Sequence, residues 1–135
     1  MSVNDCAIIQ LPRIEDHRGN LTFIEGSDHV EFDLKRVFYL YDVPGGSYRA
    51  GHALKTCHQF LIAISGSFDV ILRDDTRETR HMLNRSYYGL HIKPMVWREL
   101  SNFSSGAVCL VLASERYDEA DYIRDFESYK SAMST

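Results

Sequence analysis

Residues 45–70 read GGSYRAGHALKTCHQFLIAISGSFDV. From Gly46, five residues lead to His52, Ala53 and Leu54; four more lead to Gln59, and six more to Gly66. The stretch carries no helical period. HQFLIAISG and SFDVILRDD are short apolar runs of the strand type, and SGS at 65–67 reads as a tight turn between two paired strands. Both parities of FLIAI are apolar, so this strand is expected to be covered on both faces.

The rest of the chain extends the pattern. CAIIQL, NLTFIE, KRVFYLYDV, RHMLN, YGLHIKP, WRELSNF and AVCLVLAS are further β-type runs, punctuated by Gly, Asp, Asn, Ser and Pro. RDDTRETR reads as a solvated hairpin tip. Many short strands at even spacing predict a sandwich or closed barrel. If the barrel interior covers one face of FLIAI, a second sheet or a partner chain must cover the other, which points to a homodimer. Near the C-terminus, SERYDEADYIRDFESYK places Tyr122, Ile123, Phe126 and Tyr129 at helical spacings, with Ser114 or Asp118 as cap.

The 135 residues are expected to form one domain, 1–135, and 44% hydrophobic content suffices for a core. A net charge of −4 argues against a nucleic-acid or anionic-membrane surface. Three cysteines, Cys6, Cys57 and Cys109, are too few and too scattered for a disulfide framework or a zinc cluster and read as buried thiols. With no run of about 20 apolar residues and no signal-peptide layout at the N-terminus, a cytoplasmic protein is expected.

The spacing around His52 resembles the first sequence motif of the cupin barrels: Gly, five residues, His-x-His, three or four residues, Glu, six residues, Gly. Here Leu54 replaces the second His and Gln59 the Glu. A transition metal needs about three protein ligands, leucine offers none, and an arginine repels a cation. No metal is therefore expected. His58 and His91 are the residues from which a site would be rebuilt, but if Gln59 faces inward, alternation turns His58 outward.

Four arginines change the reading of His52 from an ordinary barrel histidine. Arg18 follows Asp16 and His17 in an N-terminal turn, Arg36 opens an apolar strand, Arg49 precedes His52, and Arg98 sits beside Trp97. Long cations in apolar strands are costly unless they are paired or face a polar cavity. In an acidic protein they suggest an internal anion site, the alternative for each being a surface pair with Glu25, Glu99 or Asp69. Tyr39, Tyr41, Tyr48, Tyr87, Tyr88 and Trp97 offer rings for stacking on a base or sugar.

DHRGNLTFIE, KRVFYLYDVP, YRAGHALKTCHQFLIAISGSFDVILRDD, YYGLHIKPMVWREL and CLVLASERYDEADYIRDFESY together resemble the nucleotide-sugar 3,4-ketoisomerases, over residues 7–130. The resemblance implies an all-β, cupin-type jelly-roll barrel with a short C-terminal helix, a homodimer, and no metal or other cofactor. It implies conversion of dTDP-4-keto-6-deoxyglucose to a 3-keto sugar on a route to a 3-amino-3,6-dideoxyhexose, for O-antigen and other glycans or for antibiotics. It carries over His52 as base and Arg18, Arg36, Arg49 and Arg98 as substrate-binding residues, with Trp97 beside them. Tyr39, read as a barrel-facing phenol, is the expected proton donor. Leu54 departs from the family's RGxHAHK pattern, which appears here as RAGHALK. If Leu54 faces a polar cavity, Leu54→His should not harm folding. The alternatives are an epimerase acting on the same enediolate and a non-catalytic nucleotide-sugar binding module.

Overall fold

Alternation along the strands sorts the side chains into an inner and an outer set. The computed structural model describes residues 1–134, apart from the side chain of Ala50. Its strands are β1 (Ala7–Gln10), β2 (Arg13–Asp16), β3 (Gly19–Thr22), β4 (Arg36–Leu40), β5 (Arg49–Leu54), β6 (Gln59–Ser65), β7 (Phe68–Arg73), β8 (Glu78–Leu83), β9 (Tyr88–Ile92), β10 (Trp97–Ser101), β11 (Val108–Ala113) and β12 (Tyr122–Ile123). They form two five-stranded sheets, in the orders β1-β9-β6-β11-β4 and β12-β5-β10-β7-β8, with β2 and β3 a separate hairpin. The two sheets make the jelly roll that the resemblance implied.

The inner set is continuous across both sheets. Leu61, Ala63, Cys109 and Val111 from the first meet Phe68, Val70, Leu72 and Leu100 from the second. Each large member stabilises the fold by about 1.5–3 kcal/mol through burial. All three cysteines are buried free thiols, and burial pushes the Cys109 thiol up to about 12. Among the described residues, no helix is long and apolar enough to cross a membrane.

Three expectations change. β6 and β7 are not paired: β6 lies between β9 and β11, and β7 between β10 and β8. The SGS turn therefore crosses from one sheet to the other. Gly66 makes this step at φ +68°, where a Cβ would lie 2.8 Å from the Ala107 backbone.

The outer face of FLIAI is largely covered by the chain itself. Phe60 and Ile62 pack against Leu11, Val30 and Phe32, and only Ile64, 47% exposed, is left for another body. This removes most of the reason given for a partner chain at that strand.

The C-terminal helix, α1, spans only Phe126–Met133, with Asp125 as its N-cap. Asp118 caps a single 3-10 turn, and Asp121 accepts hydrogen bonds from the Thr56 and Cys57 backbone, at 2.9 and 3.3 Å. Tyr122 and Ile123 then pair with Leu54 and Ala53 as β12. Buried Tyr129 anchors α1 by donating to the Met95 carbonyl at 2.9 Å.

Asp74 holds the N-terminal turn to the β7–β8 tip. Burial alone would raise its carboxyl, but the backbone N–H groups of Val3, Thr76 and Arg77 outweigh this and bring it down to about 2. A depressed carboxyl stabilises the fold above its unfolded pKa, near 4, and loses that contribution as pH falls toward 2. Asp74→Asn should lower stability at pH 7 by about 1–3 kcal/mol. It should also flatten the urea midpoint between pH 4 and 2; an unchanged pH profile would refute the assignment.

Candidate active site

Arg98 and His52 are register partners on β10 and β5, so both side chains leave the same, inward face of the second sheet. Arg98 is 1% exposed and His52 9%. The guanidinium crosses the barrel to donate to Gln59 Oε1 on β6 at 2.7 Å, and its other terminal nitrogen donates to the Val96 carbonyl at 3.1 Å. Arg98 Nε and Gln59 Nε2 are buried without a hydrogen-bond partner.

No carboxylate pairs with Arg98 among the described residues. Burial draws its pKa down to about 10, which still leaves it a cation at neutral pH. A buried, incompletely paired cation is expensive. Beside a histidine in the barrel interior, it marks the candidate site.

A ladder of rings borders this pair. The His52 ring lies 5.0 Å from that of Tyr122, and Tyr122 lies 5.6 Å from Tyr117. Arg36 sits over Tyr117 at 5.6 Å and over Phe38 at 4.9 Å. It is half-buried, on the inward parity of β4, with its Nε lacking a partner. Glu119 fixes the rim, accepting from Arg124 at 2.6 and 2.9 Å and from the Tyr117 hydroxyl. Those hydrogen bonds, Arg124 first, hold the Glu119 carboxyl down at about 2, with His52 a smaller favourable charge. The acid in turn raises the Tyr117 phenol.

The structure thus brings His52, Arg98 and Arg36 to one end of the interior. It places the other expected residues elsewhere. Tyr39 pairs with Leu110 on the outer parity of β4 and is 58% exposed, because the alternation that aims Arg36 and Phe38 inward turns it out. It is not a barrel-facing phenol. Trp97, next to Arg98, points oppositely, packs on Phe126 and Tyr129 of α1 and donates to Glu99 at 2.9 Å. Arg18 lies on the exposed β2–β3 hairpin, where its Nε and Nη2 donate to the Asp16 carboxylate at 3.0 and 2.8 Å. Arg49 is exposed at the start of β5.

Leu54 also departs from expectation. It is 1% exposed among Cys57, Ala113 and Tyr122, a packed apolar slot and not a polar cavity. Gln59, Tyr117 and Tyr122 are the neighbours that sequence reading missed. For Gln59 a signal existed, since it occupies the acid position of the motif. A surface cavity of about 840 Å³ lies beyond Tyr117, lined by Lys35 and Arg116 as well as Glu115, Asp118 and Asp121, and holds neither His52 nor Arg98.

Comparison with known proteins places the chain among sugar-nucleotide ketoisomerases. The TDP-4-oxo-6-deoxy-alpha-D-glucose-3,4-oxoisomerase of Aneurinibacillus thermoaerophilus is 41% identical over 123 residues, covering 91% of this chain and 88% of that protein. The crystal structure of QdtA, a sugar 3,4-ketoisomerase from Thermoanaerobacterium thermosaccharolyticum in complex with TDP, superposes with TM-score 0.95 at 42% identity, over 98% of this chain and 96% of that one. WlaRB, a TDP-quinovose 3,4-ketoisomerase from Campylobacter jejuni, gives TM-score 0.91 at 43% identity, over 96% and 99%. The model of the FdtA family, described as WxcM-like, C-terminal, matches residues 4–134, and the chain belongs to that family.

Proposed function

We propose that this chain is a dTDP-4-keto-6-deoxyglucose 3,4-ketoisomerase in which His52 moves the proton and Arg98 stabilises the developing charge. The observation that carries the reading is a fully buried guanidinium, without a carboxylate, in register with a buried histidine. The activities of the relatives supply the substrate class.

The reaction needs little machinery. A base removes the C3 proton, which is acidified by the C4 carbonyl, and the C–H electrons form the C3=C4 double bond of an enediolate. A proton is returned to C4, and the proton of the C3 hydroxyl passes to the C4 oxygen, leaving the carbonyl at C3. Imidazole suits both transfers near neutrality. A desolvated Arg98 facing the enediolate oxygens acts where charge develops. Arg36, with free donor capacity over Tyr117, is assigned to a phosphate oxygen.

Tyr122, whose ring adjoins His52, takes the donor role first given to Tyr39. Arg18, Arg49, Tyr39 and Trp97 enter this scheme only through a second copy of the chain or through movement on binding. A homodimer is supported by what one chain leaves outside. Val37, Tyr39 and Tyr41 lie exposed on or just beyond edge strand β4, as do Ile14 and Leu21 on the β2–β3 hairpin. The setting we infer is cytoplasmic deoxysugar synthesis for O-antigen or similar glycans.

One experiment tests the reading. The protein, weighed by light scattering and expected at twice the chain mass, is incubated with dTDP-4-keto-6-deoxyglucose in D₂O and followed by NMR. Migration of the carbonyl to C3 with deuterium at C4 is the expected result. Deuterium at C3 or C5 with inversion and no migration would make it an epimerase. Saturable binding without exchange would make it a binding module.

A further inference from the structure

On the outer face of the first sheet, away from His52, two more histidines meet. His58 Nδ1 lies 3.0 Å from His91 Nε2. His91 is 3% exposed on β9, and His58 stands just before β6, its neighbour in the sheet. Phe32 closes one side of the pair, its ring 5.7 Å from His58 and 5.6 Å from His91. Glu31, the residue before Phe32, closes the solvent side, with Oε1 3.6 Å from His91 Nδ1.

We propose that Glu31, His58 and His91 bind a divalent transition-metal ion of the zinc class on the outside of the barrel. One donor atom from each residue lies within 4.8 Å of the other two. Metal–nitrogen bonds of about 2.0–2.1 Å in a tetrahedral site hold two imidazole nitrogens roughly 3.3 Å apart. His58 Nδ1 and His91 Nε2 are within a few tenths of an ångström of that spacing, while Glu31 now faces the other ring nitrogen, Nδ1, and must swing to complete the site.

Two imidazoles and a carboxylate, with water in the fourth position, match the preference of zinc and its neighbours and not that of calcium or magnesium. The backbone of His91 is fixed by the β9–β6 ladder and that of His58 by hydrogen bonds exchanged with Ser114, and Glu31 is exposed enough to adjust.

This departs from the expectation that the chain holds no metal. That expectation set His58 and His91 aside because alternation turns His58 away from the barrel interior, where Leu54 and Arg98 forbid an ion. The same alternation that sends Gln59 in to Arg98 sends His58 out to His91. An ion here would clamp the segment carrying Glu31 and Phe32 over Phe60, on the far side of the sheet from the reaction proposed above, and the inference does not depend on that reaction.

Lys93 opposes the ion. Its ammonium is 3.4 Å from Glu31 Oε1 and competes for the carboxylate. Affinity in the micromolar range is expected, and removing this charge should tighten it.

The test uses the full chain, stripped with chelator and titrated with Zn²⁺ by calorimetry and with Co²⁺ by visible absorption. One ion per chain is expected, with the intense visible bands of tetrahedral Co²⁺ and a higher melting temperature. His58→Gln and Glu31→Gln should each weaken Zn²⁺ binding about tenfold or more, and Lys93→Met should strengthen it. Glu31→Gln changes an exposed side chain, so it reads out binding even if His58→Gln disturbs folding. Absence of saturable binding near one equivalent overturns the proposal, as does binding that either ligand variant leaves unchanged.

Discussion

Replacing His52 with Asn should reduce turnover of dTDP-4-keto-6-deoxyglucose by about 10²–10⁴-fold, with affinity for dTDP close to that of the parent. The asparagine amide approximates the imidazole in size and hydrogen-bonding capacity, so the 9% exposed position on β5 keeps its packing against Tyr122. What it loses is the capacity to take up a proton near neutrality. The nucleotide's phosphate is assigned to Arg36, not to His52, so binding and chemistry should separate: kcat falls and calorimetric dTDP binding persists. Deuterium exchange at C3 should fall in parallel, since it reports the first proton removal. Turnover within a fewfold of the parent would remove His52 from the mechanism. Equal loss of turnover and of dTDP binding would instead make it a structural residue.

The separation between what the sequence disclosed and what it hid follows strand parity. The β-runs, the β7–β8 tip and the buried thiols follow from local composition. So does the strain of placing Arg98 in an apolar strand, because an arginine there must be paired or face something polar. Parity could also have been used further. Once Arg98 is inward, Trp97 is outward by alternation alone, and the two cannot serve one site from one chain.

Tyr39 was misdirected for lack of a register: only the pairing with Leu110 shows which parity of β4 is inside. The SGS turn has the same local chemistry whether it closes a hairpin or crosses between sheets, and the choice is made by β9 and β11 taking both edges of β6. Tyr122 and Ile123 satisfy a helical spacing and a strand equally well. Asp121, reaching back to the Thr56 and Cys57 backbone, decides for the strand and so delivers the Tyr122 ring to His52. Each of these outcomes depends on a partner at least 50 residues away in the chain or on a choice of sheet, and no window of sequence contains it.

Leu54 carries the largest expected effect on stability. Leu54→Ala should destabilise the protein by about 2–5 kcal/mol, a fall in melting temperature of roughly 7–18 °C for a chain of this size. The side chain is 1% exposed, enclosed by Cys57, Ala113 and Tyr122, and belongs to the last residue of β5, which pairs with Tyr122 of β12. That site has few ways to collapse around a cavity, since Asp121 and the β12 pairing pin its outer wall. Leu54→Met, which conserves volume, should stay within about 1.5 kcal/mol. Leu54→His restores the histidine of the family pattern but puts a polar ring among a thiol, a methyl group and an aromatic face. Without a hydrogen-bond partner there, it should also lower stability, by about 1–3 kcal/mol or more. Because Tyr122 touches both Leu54 and His52, the Ala variant should lose turnover at temperatures where it is still folded, and the Met variant should not. Thermal melts followed by circular dichroism, paired with initial rates at 20 °C below each midpoint, separate the two effects. A Leu54→Ala protein melting within a degree or two of the parent would mean that this slot is not packed. The position would then belong to the active-site cavity, as the family's histidine suggests.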